Sequence, residues 1–168
     1  VEVSLLGEYY VGGLCGINLG SIVNCISSGD IWGYQQCGGL VGSNSAGTIF
    51  LSSPSVDLTC NGSYNGGLTG WNAGLIEKSF AAGNIYGSSD TGGFVGRNHT
   101  NGVISECYAI SNVIGSSDDT GGFVGESYYG LISNCYAKGN VNGNSDVGGF
   151  IGYANEVAMY NCYSTGAV

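Results

Sequence analysis

Gly121-Gly122-Phe123-Val124-Gly125, then Gly130-Leu131-Ile132, then Cys135-Tyr136-Ala137-Lys138-Gly139-Asn140-Val141-Asn142-Gly143, with Gly148-Gly149-Phe150 opening the next copy, is one turn of a repeat that runs through the chain. The Gly-Gly-Leu/Phe-x-Gly signature begins at Gly12, Gly38, Gly66, Gly92, Gly121 and Gly148, at intervals of 26 to 29 residues. Self-similarity at that period marks a solenoid or an array. Within a copy, Cys135, Ala137, Gly139, Val141 and Gly143 share one face, and Tyr136, Lys138, Asn140 and Asn142 share the other. A period of two means strand, because successive side chains point to opposite faces. Helical periodicity is absent from the sequence.

These features predict one all-β domain over residues 1–168, a parallel β-solenoid of six coils near 27 residues each with about three short strands per coil. The strands are expected at Gly-Gly-Phe-Val-Gly, Ile-x-x-Cys-Tyr-Ala and Gly-Asn-Val-x-Gly. Coils start near 12, 38, 66, 92, 121 and 148, after a partial coil over 1–11. Coil two is degenerate, with Ser52, Pro54 and Cys60 in place of Cys, Ala and Gly. A flat β-sandwich explains the alternation but not why every position recurs in register.

Stacking turns each repeat position into a row. Three rows are expected in the core: Leu14, Leu40, Leu68, Phe94, Phe123 and Phe150; Ile22, Ile49, Ile76, Ile104, Ile132 and Met159; and Leu5, Ile31, Leu58, Ile85, Val113, Val141 and Val168. Asn18, Asn44, Asn72 and Asn98 form a fourth, whose amides can bond along the column. A row of Cys15, Val41, Thr69, Val95, Val124 and Ile151 is expected to face opposite to the Leu/Phe row. Gly at nearly every corner is expected to supply the positive φ of tight turns.

The composition excludes some roles. Only Lys78, Arg97 and Lys138 are basic, against 12 acidic residues, for a formal net charge of −9. A nucleic-acid binder needs a basic footprint, and anionic membrane surfaces are disfavoured for the same reason. No run of 18 apolar residues offers a transmembrane helix. The start at Val1 suggests a processed chain or a fragment.

The full pattern, Gly-Gly-Phe-Val-Gly-x-Asn-x-x-x-Gly-x-Ile-x-x-Cys-Tyr-Ala-x-Gly-x-Val-x-Gly, resembles the GLUG repeat, whose Gly-Leu-hydrophobic-Gly core stands here as Gly39-Leu40-Val41-Gly42. The resemblance spans essentially the whole chain in six copies. It implies a secreted or surface-anchored prokaryotic protein: an adhesin, an envelope protein, or the non-catalytic part of a larger secreted enzyme. The His-Glu-x-x-His metalloprotease signature is absent, so no enzymatic role carries over.

No catalytic set is expected from a single histidine, His99, which reads as an exposed turn residue. Asp90, Asp119 and Asp146 recur just before the glycine pair. Stacked, they could bridge calcium, or each could stabilise its own turn. No other cofactor is expected. Cys25, Cys107, Cys135 and Cys162 read as an inward thiol row that behaves as small hydrophobes. Cys37 and Cys60, on the turn side of adjacent coils, are the disulfide candidates, and Cys15 is the thiol for a contact between chains. The sequons at Asn61 and Asn98 are glycosylation candidates. Phe80, Tyr108, Tyr136 and Tyr163 form an outer aromatic ladder, read either as an association surface or as plain sheet cover. The functional expectation is an extracellular structural role in a fibre, sheath or surface layer, by head-to-tail and lateral self-association. The alternative is an adhesin module holding glycan or a host protein on its Tyr-rich face.

Overall fold

The structure is a computed structural model that describes residues 2–168; Val1, the first residue of the expected partial coil, lies outside the described residues. All described regular elements are strands, wound as a parallel β-solenoid with one turn per sequence repeat. Each coil contributes four strands, not three. In coil four they are Ser89–Gly92, Val95–Asn98, Val103–Ser105 and Tyr108–Gly115. The additional strand is the Ser-Asp-Thr-Gly segment, which had read as a turn. The strands stack coil on coil into four parallel sheets, here called A (the long strands, such as Phe80–Gly87), B (Ser89–Gly92), C (Val95–Asn98) and D (Val103–Ser105). Register is kept throughout: Phe80 to Gly87 pair one for one with Tyr108 to Gly115.

The glycine signature has a steric cause. Sheets B and C fold back on one another with backbone against backbone. A Cβ on Gly92 would collide with the Val95 carbonyl oxygen and sit 2.7 Å from Gly125 N, and one on Gly96 would meet Asn65 N. Face-to-face sheets normally sit ~10 Å apart to make room for side chains; this seam leaves none. The seam places the Gly-Phe step at a corner between two strands, so the Leu/Phe row and the Val95 row both turn inward. Leu40, Leu68, Phe94 and Phe123 are fully buried, and so are Val41, Thr69, Val95 and Val124. The expectation that these two rows face opposite ways is therefore corrected. Positive φ is also carried differently from the expectation. Corner residues such as Asn24, Lys78, Glu106 and Asn134 adopt it, whereas among the glycines only Gly29, Gly83 and Gly139 do. The signature glycines serve close approach instead.

The Ile22–Met159 and Leu5–Val168 rows form as expected, buried in the middle coils and open at the end coils, where Met159 and Val168 are exposed. Phe94, Phe123 and Phe150 stack at 4.7 and 4.8 Å between ring centroids. The asparagine row is a buried amide chain. Asn18 Nδ2 donates to Asn44 Oδ1 at 2.9 Å, Asn44 to Asn72 at 2.8 Å, and Asn72 to Asn98 at 2.8 Å. Each amide also donates to a backbone carbonyl at the corner between sheets C and D.

An interior link of this chain cannot be cut without orphaning both neighbours. Asn72→Ala strands the Asn44 amide hydrogen and the Asn98 carbonyl, each worth about 1–3 kcal/mol when left buried. We expect a loss of about 2–5 kcal/mol on that basis, measured by urea denaturation. Asn18→Ala, at the ladder end, loses less.

Candidate functional site

The glycine seam determines where the chemically varied side chains meet. Along its outer rim run two rows: Tyr10, Gln36, Tyr64 and Asp90 in sheet B, continued by Asp119 and Asp146 just before its last two strands, and Ile17, Ser43, Trp71, Arg97, Glu126 and Tyr153 from sheet C. All six residues of the first row have φ between 47° and 67°. With no side chains in the seam to separate the rows, they touch. The Leu/Phe, Ile/Met and Leu/Ile/Val core rows stay apolar from coil to coil; these rims do not, and they hold the chain's only arginine.

Arg97 is the hub. Its guanidinium lies 5.4 Å from the ring centroids of Tyr64 and Trp71 and 5.9 Å from Tyr128, and Nη1 donates to the Tyr64 hydroxyl at 3.2 Å. Nε is 3.0 Å from Glu126 Oε2, an ion pair whose N–H is not aligned for a hydrogen bond. His99 is not a free turn residue: it stacks on Trp71 at 4.7 Å and on Tyr128 at 6.2 Å. Trp71 is touched edge-on by Tyr64 and pairs in register with Ser43 on the side away from His99.

Asp90 and Asp119 come together with Glu126, which the sequence did not single out; the three offer carboxylate oxygens within 4.8 Å of one another. Asp146 stands apart, accepting from the Ser145 hydroxyl. Of the three aspartates weighed as calcium candidates or turn residues, Asp90 and Asp119 thus cluster with Glu126 rather than with Asp146, and Arg97 supplies positive charge beside them. Burial, then the Glu126 carboxylate, pushes Asp90 up to about 7, and the same two causes push Asp119 up to about 6.

The remaining candidates fall elsewhere. Cys37 and Cys60 form a disulfide. They are not on a solvent-facing turn but buried between sheets A and B. Cys60 stands where other coils have Gly33, Gly87 and Gly115, positions at which a Cβ would strike a sheet B side chain; the covalent bond replaces that clash. Cys15 is half-buried in the inward Val41 row, and burial raises its thiol pKa. Cys25, Cys107, Cys135 and Cys162 form the inward thiol row, with Cys107 Sγ and Cys135 Sγ each 3.1 Å from the carbonyl two residues back. Asn61 is exposed, whereas Asn98 is fully buried in the amide chain, so the folded protein cannot present it for glycosylation. Phe80, Tyr108, Tyr136 and Tyr163 stack at 4.9, 4.9 and 5.3 Å with interplanar angles of 2°, 2° and 13°. That geometry consumes the ring faces and turns only ring edges outward.

Both aspartates bind protons more tightly folded than unfolded, where carboxylates titrate near 4. Their contribution favours the folded state at acid pH and is lost as pH rises through about 6 to 7. The melting temperature should therefore fall between pH 5 and pH 8. Asp90→Asn, which keeps a residue at ease with positive φ, should raise it at pH 8 by about 2–4 °C, the response of a chain this size to roughly 1 kcal/mol, and leave it little changed at pH 5.

The model of the GLUG motif matches residues 7–31, 87–114 and 117–142. No curated protein and no solved structure matches the chain. The matched segments fall on the better-kept copies, and the unmatched stretches between them, including degenerate coil two, wind into coils of the same four sheets in the same register. The chain is a GLUG-motif repeat protein, folded as a parallel β-solenoid.

Proposed function

We propose that the chain is a structural segment of an extracellular fibre, sheath or surface layer. The carrying observation is the in-register stacking of four parallel sheets around continuous ladders, which makes every coil a template for the next. The first and last coils present the same core rows as their neighbours but uncovered, with Leu14, Met159 and Val168 exposed. Further coils of the same fold, in the same chain or in another copy, would bury them. The Cys37–Cys60 disulfide supports an oxidising, extracellular setting. No enzymatic role is proposed: the polar clusters read as charge balance around Arg97.

The divergent rim favours one second reading, an adhesin module. Its aromatic and charged groups would do the binding, with Trp71 at the centre, rather than the outer tyrosine ladder, whose ring faces are already stacked on one another.

Electron microscopy of the purified chain, with its thiols and disulfide preserved, tests the first reading. Uniform filaments or hoops are expected; separate short rods at high concentration would sink it. For the second, Trp71→Ala should abolish retention on a glycan array while leaving the circular dichroism unchanged. Equal retention of both proteins would argue against the rim as the binding face.

A further inference from the structure

We infer that the outer face of sheet A is a lateral interface that pairs with the same face of a second, antiparallel copy of this chain. The face is broad and regular. It runs over seven coil levels with strands of 6 to 8 residues in the middle coils. At roughly 4.8 Å per level and 3.3 Å per residue, it covers about 700–900 Å², against the roughly 800 Å² per partner of a standard stable interface. In the middle of the column, away from either end coil, it exposes Tyr86, Ile110 and Ile114 at 43 to 47% of their surface. Apolar side chains gathered on one flat face mark an association surface.

Symmetry and charge select the occupant. Consider a two-fold axis parallel to the strands, above the junction of Phe80–Gly87 with Tyr108–Gly115. It keeps each position along the strand and reverses the order of coils. By the register of these two strands, Phe80 then faces the partner's Tyr108, Ala82 the partner's Ile110, Asn84 the partner's Asn112, and Tyr86 the partner's Ile114. Each contact occurs twice. Small meets large at Ala82 and Ile110, amide meets amide, and apolar meets apolar.

The charged groups on this face obey the same operation. Asp30 and Asp57 stack in register beside a cleft of about 230 Å³ lined also by Gly29, Ser55, Val56 and Gly83. Asp57 Oδ1 already accepts from the Asn84 backbone N–H and side-chain amide, and no cation of the same copy is ion-paired to either aspartate among the described residues. Among the described residues Lys138 is the one cation on this face, exposed and lying 5.2 Å from the Tyr136 ring centroid. It occupies the strand position of Ile110 one coil beyond it, while Ser55 occupies the position of Ala82 one coil before it. The two-fold therefore sets Lys138 against the partner's Ser55 and Asp57, at the mouth of the cleft. A two-fold along the column instead sets Lys138 against asparagines of its own coil level and leaves the aspartates uncompensated. The antiparallel pairing is the one that joins unlike charges, and it is independent of end-to-end stacking.

Sedimentation velocity over a concentration series tests it on the intact chain. A dimer is expected. Lys138→Glu and Asp57→Lys, each placing like charges in contact twice per dimer, should weaken it about tenfold or more, and the Lys138→Glu/Asp57→Lys double variant should restore it. Ile110→Glu, on a fully formed but exposed strand position, should abolish it with unchanged circular dichroism. A monomer at every concentration would overturn the proposal, as would a dimer indifferent to Lys138→Glu and Ile110→Glu. Discrete dimers without filaments would support the pairing while sinking end-to-end stacking; filaments one column wide would do the reverse.

Discussion

The backbone contact between sheets B and C is the constraint from which most of the structure follows. Two strands can pack at that distance only where neither carries a Cβ, so glycine recurs at both ends of the signature in every coil. The close seam makes a sharp corner of the Gly-Phe or Gly-Leu step. That corner sends two consecutive apolar residues inward, so one short segment fills the core from both of its rows. The buried apolar side chains form two clusters, a larger one that includes Leu68, Phe94 and Ile104 and a smaller one around Leu58, Ile85 and the disulfide.

Parallel in-register stacking then multiplies each local choice by the number of coils. An asparagine placed at the corner between sheets C and D satisfies its own backbone once, but four in a row satisfy each other, and the buried amide chain becomes cooperative. Phenylalanine in the core and tyrosine on the outer face behave alike: stacked at the coil spacing, their rings contact one another before anything else. The same rule makes repetition of charge costly. Asp90 and Asp119, one coil apart, are pushed toward protonation by burial and then by the shared neighbour Glu126, and Arg97 offsets part of that cost. Structural stacking and chemical individuality are thus separated in space. The Leu/Phe, Ile/Met and Leu/Ile/Val core rows stay apolar throughout, and the seam rim does not.

The disulfide shows how the same geometry absorbs a departure. Cys60 breaks the glycine rule at a position where, in other coils, a side chain would strike sheet B, and its sulfur is bonded to Cys37 of a sheet B strand. Joined, the two occupy the space that glycine elsewhere leaves empty, and the degenerate coil keeps register with its neighbours.

By itself the sequence determined the repeat, the coil count, the strand character and which residues stack in each row. Each follows from spacing along one chain, because a solenoid converts sequence period directly into spatial register. The asparagine ladder was legible for the same reason. The number of strands per coil was not, since a four-residue strand with a left-handed residue inside it reads as a turn. Nor was the burial of Asn98, because a sequon looks the same in a ladder as in a loop. The rim site belongs to the tertiary structure alone. In a linear reading Asp90 is a recurring turn residue and His99 and Arg97 are isolated, nothing joins them, and Glu126 does not stand out at all. They meet because the glycine seam removes every side chain that would have kept the two sheets, and hence the two rows, apart.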